Sequence, residues 1–188
     1  MATQASETSA RRAGTAAVDV RPVPSELATP TDLDIKQVEA ITETVNSLIA
    51  DSFALYVKTK NYHWHLAGPH FRDYHLMFDE QADMLLESLD VLAERVRRIG
   101  GTTIRSVGHV GRLQSIADDN DDFVTAVEML DRLLADNRHI AHKQREGIEI
   151  CERNQDTPTA NILQDLLDTT EKRIWFLFEA AQGGRRTE

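Results

Sequence analysis

The chain has 188 residues, enough for one domain with a sizeable core. Its formal net charge of −10, with 28% charged and 41% hydrophobic residues, fits a globular protein that repels nucleic acid overall and attracts cations. Cys151 is the only cysteine, so no intrachain disulfide forms. No run is long and apolar enough to span a bilayer, and the N-terminus lacks the apolar stretch of a secretory signal, so the expectation is a cytoplasmic protein with no membrane partner.

Residues 1–32 hold Pro22, Pro24 and Pro30, are rich in Ala, Ser and Thr, and show no apolar period. This predicts a flexible N-terminal tail. A first long helix is predicted from about Thr31 to Leu66, where Val38, Ile41, Val45, Leu48, Ile49, Ser52, Leu55 and Tyr56 keep the three-four spacing of one buried stripe. Ala67-Gly68-Pro69 stops it. A second runs from about His70 to Ile99 on the stripe Phe71, Tyr74, Phe78, Ala82, Leu85, Leu89, Leu92 and Val96. It closes with Arg95, Arg97 and Arg98 before Gly100-Gly101, cations at the negative helix end followed by a glycine stop. A loop with a short helix is expected over about 102–120, and a third long helix from about Asp121 to Arg153. The fourth starts at Thr157 as capping residue with Pro158 in the first helical position. It carries Leu163, Leu166, Leu167, Ile174, Leu177 and Phe178 until Gly183-Gly184, leaving 183–188 as a short C-terminal tail. Four amphipathic helices over 33–182 with no strand alternation predict an all-α four-helix bundle.

Chemistry concentrates in NYHWHLAGPHFRDYHLMFDE, residues 61–80, which mixes four histidines with aromatic and aliphatic residues. On a helical wheel His75, Asp79, Asp83, Asp90 and Glu94 share a stripe beside the core stripe of the second helix. His75 and Asp79 are one turn apart, the spacing of a two-ligand helical metal site. Asp79 and Asp90 are about 16 Å apart along the axis, so they cannot chelate one ion within a single helix. They form two half-sites, which a second copy of the helix packed antiparallel across a twofold axis would complete in duplicate. His63 is the third candidate ligand, folded back over a short turn. Asp83 and Glu87 are equally well read as a solvated acidic face, and His65 as an exposed or structural histidine. His70 and His109 are expected in loops, and His139 with His142 on a solvated face of the third long helix. Trp64 is either a radical quencher or a packing residue. Imidazoles mixed with carboxylates suit iron(II), manganese or zinc and disfavour magnesium or calcium. A structural zinc site is not expected without thiolates.

HWHLAGPHFRDYHLMFDE followed by LDVLAERVRRIGG resembles the signature of the Dps proteins, the miniferritins, in His63, His75, Asp79, Asp90 and Glu94. TANIL and WFLFE near the end are similar to the family too, and the likeness spans about 35–182. The resemblance implies a ferritin-like four-helix bundle with a short extra helix in the long connection, assembled into a hollow dodecamer. It implies a ferroxidase site at each twofold interface, with His63, His75 and Asp79 from one subunit and Asp90 and Glu94 from its neighbour. Iron(II) is then oxidised, preferentially by hydrogen peroxide, and stored as ferric mineral. Glu149, Glu152, Asp156 and Asp165 are candidates for acidic pores, and Asp83 and Glu87 for mineral nucleation or plain surface. Larger ferritins use Glu-x-x-His motifs inside one bundle, and no Glu-x-x-His occurs here.

The alternative the family name carries is a nucleoid-associated protein that protects DNA by coating it. Residues 1–30 contain no lysine, and Arg11, Arg12 and Arg21 are balanced by Glu7, Asp19 and Glu26; Arg185 and Arg186 add a small basic end. Weak, strongly salt-dependent DNA binding or none is expected. A third reading, a cage whose site is vestigial, is disfavoured by the intact five-residue set.

Overall fold

The computed structural model describes residues 23–185, with side chains through Gln182. Five α-helices follow a 3-10 turn at Ser25–Leu27: α1 (Ile35–His65), α2 (Phe71–Arg98), α3 (Val107–Leu113), α4 (Ala126–Arg153) and α5 (Thr157–Arg185). Local chemistry sets their starts. Asp34 and Gln37 form a capping box at α1: the Gln37 amide donates to Asp34 Oδ1 (3.0 Å) and the Asp34 amide to Gln37 Oε1 (2.8 Å). Thr125 and Glu128 do the same at α4, and Ser106 caps α3.

α1 packs against α2 and α4 against α5, and the two hairpins close into a bundle through α1–α4 and α2–α5 contacts. α4 runs antiparallel to α1, since Lys58 pairs with Asp136 near one end while Gly147 lies against Thr44 and Leu48 near the other. The chain therefore makes one long crossover, from the end of α2 back to the start of α4, as in ferritin-like bundles. α3 sits within this crossover and packs on α1. The core falls into two buried clusters. Leu55, Tyr62, Phe78, Leu85, Leu133 and Leu177 anchor one, and Ile41, Val45, Leu48, Leu92, Val96 and Leu163 the other.

Several expectations change. Within residues 23–32, Leu27 and Thr29 touch the bundle: Arg97 Nη2 donates to Leu27 O (2.7 Å), and Gly100, at φ +85°, leaves a gap where a Cβ would lie 3.1 Å from Thr29 O. Residues 1–22 and 186–188 lie outside the described residues. α4 starts at Ala126 and not Asp121, because the Thr125/Glu128 box fixes its first turn. The cap of α5 is Asp156, not Thr157: its Oδ1 accepts from the Thr159 amide (3.1 Å). α5 also continues through Gly183-Gly184. His109 lies within α3 and not in a loop. Phe71 and Phe178, each assigned to a core stripe, are 46% exposed. Their spacing marks an apolar face, which the described residues cover only in part. No helix among the described residues is long and apolar enough to cross a membrane.

Candidate metal centre

The turn between α1 and α2 builds one end of the site. Buried Leu66 anchors it, and Gly68 (φ +103°) and His70 (φ +61°) adopt the left-handed backbone that reverses the chain within five residues. His63 is thereby laid on His75, with ring centroids 3.7 Å apart and planes at 20°. Each ring reaches the other's main chain: His63 Nδ1 donates to His75 O (2.9 Å) and His75 Nδ1 to His63 O (3.0 Å). A carbonyl only accepts, so both Nδ1 atoms carry protons. Both Nε2 lone pairs are left for a metal, and second contacts of this kind set ligand orientation. Asp79 Oδ1 stands 3.8 Å from His63 Nε2. Phe71 stacks on the outer side of His75 at 5.1 Å.

Lys60 was not singled out from sequence. Its Nζ donates to Asp79 Oδ1 (2.5 Å) and lies 6.0 Å from the Trp64 ring centroid. This hydrogen bond, with the positive charge behind it, holds the Asp79 carboxyl below the usual carboxylate range. The signal was present, because Lys60 is three residues before His63 and therefore on the same helix face. The lysine stands where a metal cation would compete for the same carboxylate.

The other end of the stripe is bare. Asp90 and Glu94 are exposed, and Glu94 accepts from Arg98 Nη2 (2.6 Å) in an exposed pair. The structure brings His63, His75 and Asp79 together and leaves Asp90 and Glu94 apart from them. Among the described residues of one chain, no group of three or more His, Cys, Asp or Glu side chains is arranged to hold an ion. The bundle interior is no substitute. Arg173 is buried there, donating to Asn137 Oδ1 (2.8 Å) and Thr170 Oγ1 (2.9 Å), and burial pulls its guanidinium down to about 10. A buried cation repels metal ions.

The ferritin-like domain profile matches residues 42–186. A low-temperature-induced protein of Nostoc sp. is 32% identical over 149 residues, 79% of this chain and 83% of that protein. DNA protection during starvation protein 1 of Deinococcus radiodurans is 28% identical over 145 residues, 77% of this chain and 70% of its own length. The solved structure of DpsC from Streptomyces coelicolor superposes with a TM-score of 0.79 at 27% identity, covering 85% of this chain and 95% of that one. The chain belongs to the Dps family of ferritin-like proteins. Iron storage and DNA protection are the functions of Dps proteins as a family.

The remaining candidates in this Dps chain separate by environment. Asp83 and Glu87 are exposed on α2. His65 Nδ1 donates to Asn61 O (2.9 Å) on the exposed end of α1, and His70 is the exposed residue that opens α2. His142 pairs with Glu146 (3.2 Å) on the exposed face of α4. His139 does not face open water alone: its Nε2 is 2.8 Å from Ser115 Oγ, which donates to Asp51. Asp51 is fully buried, accepts the Ser115 and Ile116 amides, and pairs with Lys143. This knot ties the crossover to α1 and α4, and it was invisible in sequence because the crossover has no period that places Ser115. Asp156 is withdrawn from the pore candidates. It is buried, caps α5 and pairs with Arg95 (2.5 Å). Glu149, Glu152 and Asp165 are exposed.

Proposed function

We propose that this Dps-family chain assembles with copies of itself into a hollow dodecamer that oxidises iron(II), preferentially with hydrogen peroxide, and stores ferric mineral. The observation that carries the reading is an asymmetry. Two imidazoles with free Nε2 atoms meet Asp79 at one end of an exposed acidic stripe, and Asp90 and Glu94 stand without an imidazole at the other. A twofold partner packed antiparallel supplies what each end lacks. His63, His75 and Asp79 from one subunit then face Asp90 and Glu94 from the next.

The donor set, two imidazoles and three carboxylates, suits iron(II) as substrate. His63 and His75 bind through Nε2, held by their Nδ1 hydrogen bonds. Asp79 remains a carboxylate and exchanges Lys60 for the metal. Two iron(II) ions each give one electron. The peroxide O–O bond breaks, and with two protons two waters form, so no hydroxyl radical is released. Apolar surface supports assembly: Leu76, Leu86 and Val91 are exposed beside the acidic stripe, and Trp175, Phe176 and Phe178 on α5. Protection of DNA then follows from removing iron and peroxide. Binding to DNA itself is weak or absent on this reading.

Stopped-flow absorbance after mixing with iron(II) and peroxide tests the reading, with rapid ferric formation expected. Cages of His63→Ala or Asp90→Ala subunits should assemble and oxidise slowly. Mixed cages of the two should regain activity, because some interfaces collect both defects in one site and leave the other whole. No regain sinks the shared site. A DNA complex surviving moderate salt in a gel-shift series would favour the coating role.

A further inference from the structure

Residues 95–117 contain five arginines and no acid, although the chain carries a net charge of −10. The next five residues hold Asp118, Asp119, Asp121 and Asp122. The crossover is thus basic in its first part and acidic in its second.

The fold lays this polarity along α1. Asn46 Nδ2 donates to Thr102 O (2.8 Å), and Asp51 holds Ser115 and Ile116. Residues 102–115, with Arg105 and Arg112, therefore lie beside Asn46–Asp51. Tyr62 donates to Asp119, so the acidic part lies about 24 Å from the Asn46 level along the helix. Local pairing does not cancel the polarity. Arg95 and Arg98 have acidic partners and Arg97 binds main-chain carbonyls, but Arg105 and Arg112 are exposed with no ion pair among the described residues. Arg132 pairs with Asp119 and Asp121, leaving Asp118 and Asp122 exposed with no cationic partner among the described residues.

The register of the proposed shared site brings the two parts to one level along the helix axis. The twofold must pass midway between the half-sites on α2, at Met84–Leu85. His63 lies beside His75, Lys60 beside Asp79, and Thr42 and Val96 share one contact point, so that level on α1 is Phe53–Ala54. Rotation about it carries the Asn46–Asp51 level onto the partner's Tyr56–Asn61 level. Arg105 and Arg112 lie beside the first, and the run towards Asp119 beside the second.

We infer that the crossover is a self-complementary electrostatic clasp with a second copy of this chain, Arg105 and Arg112 of one protomer meeting Asp118 and Asp122 of its twofold partner. Parallel pairing would set arginine on arginine and aspartate on aspartate, so the clasp selects the antiparallel pair. Charges at an interface rim act mainly on association rate and orientation, and salt screens them. The inference takes its register from the shared-site reading.

Sedimentation of full-length chains in low and moderate salt tests it. Arg105→Glu/Arg112→Glu should raise the protein concentration needed for assembly at least tenfold in low salt, with the deficit shrinking as salt rises. Asp118→Lys/Asp122→Lys should do the same. The chain carrying all four reversals restores the complement and should assemble like the parent. Neutral Arg105→Gln/Arg112→Gln should give a smaller deficit and guards against a folding defect, which circular dichroism would report. Failure of the fourfold variant to recover, with helix content intact, overturns the clasp. So does unchanged assembly with loss of low-salt DNA retardation, which would make the basic stretch a phosphate-binding surface. Activity regained in His63→Ala/Asp90→Ala mixtures alongside either failure would leave the shared site standing and remove the clasp alone.

Discussion

The two ends of the α2 acidic stripe differ in their side chains, two imidazoles with a carboxylate against two carboxylates, and in how these are held. At the amino-terminal end two rings are stacked, hydrogen-bonded to each other's main chain and backed by Lys60. His63 is only 11% exposed there. At the carboxyl-terminal end Asp90 and Glu94 stand in water, and only an exposed pair with Arg98 restrains either. Ligands held by contacts within their own chain gain from preorganisation. In the proposed shared site Asp90 and Glu94 are delivered by the partner and oriented by docking, so little structure within the chain is needed to hold them.

Removing a proposed ligand from each end breaks the comparison most severely. His75→Ala should lower the initial rate of ferric formation by more than about 100-fold, beyond the 10–100-fold typical of losing a supporting contact. It should also cost about 1–2 kcal/mol of stability, through the lost hydrogen bond and the packing between the His63 and Phe71 rings. Glu94→Ala should slow oxidation about tenfold and leave thermal unfolding almost unchanged. Equal loss of stability in both variants would mean the ends are not differently built.

The anchor of the first end can be loosened without touching a ligand. Tyr62 precedes His63 and donates to Asp119, which Arg132 also contacts. Burial opposes ionisation of Asp119, but the Tyr62 and Arg132 hydrogen bonds outweigh it and hold the carboxyl below the usual range. A depressed folded value stabilises the protein above the unfolded value of about 3.9, and that stabilisation is lost as pH falls through the folded one. Asp119→Asn should therefore cost about 2 kcal/mol near pH 7, a charge-assisted hydrogen bond's worth. The melting-temperature gap to the parent should close below about pH 4. A gap that persists in acid would assign the loss to packing instead of charge.

The fold was legible because three-four spacing survives in every long helix, and the Arg-rich close of α2 before Gly100 reads directly. Boundaries failed where two chemistries compete. Thr157-Pro158 looks like a helix start, but Asp156 takes the capping role because Arg95 also draws it inward. Phe71 and Phe178 show that spacing marks an apolar face without saying what covers it. Of the site, the proximity of His63, His75 and Asp79 followed from a short turn and a one-turn step. Lys60 lies on the same face, but a cation leaves no mark in a pattern of histidines and carboxylates. The Asp51–Ser115–Lys143 knot joins three segments distant in sequence, and no local pattern encodes it.

Lys60 gives a finer test of preorganisation. Its pair with Asp79 is partly exposed, and such pairs are worth about 1 kcal/mol or less. Lys60→Met keeps most of the side-chain length and removes the charge. Iron(II) titration should then show up to about fivefold tighter binding at the first end, since the metal no longer displaces an ammonium. Weaker binding would mean that Lys60 orients Asp79 for the metal and does not compete with it.

The smallest effect belongs to the other end. Arg98 is mostly exposed and touches Glu94 one turn away. Arg98→Ala should change stability by less than about 0.5 kcal/mol, because an exposed pair at this spacing gains little over hydrated charges. In the proposed shared site it frees a carboxylate for the metal, so oxidation at low iron should quicken about twofold at most and lose that gain as salt rises. A large change in either direction would show that Arg98 holds Glu94 in a geometry that docking alone does not supply, and the second end would then be as deliberately built as the first.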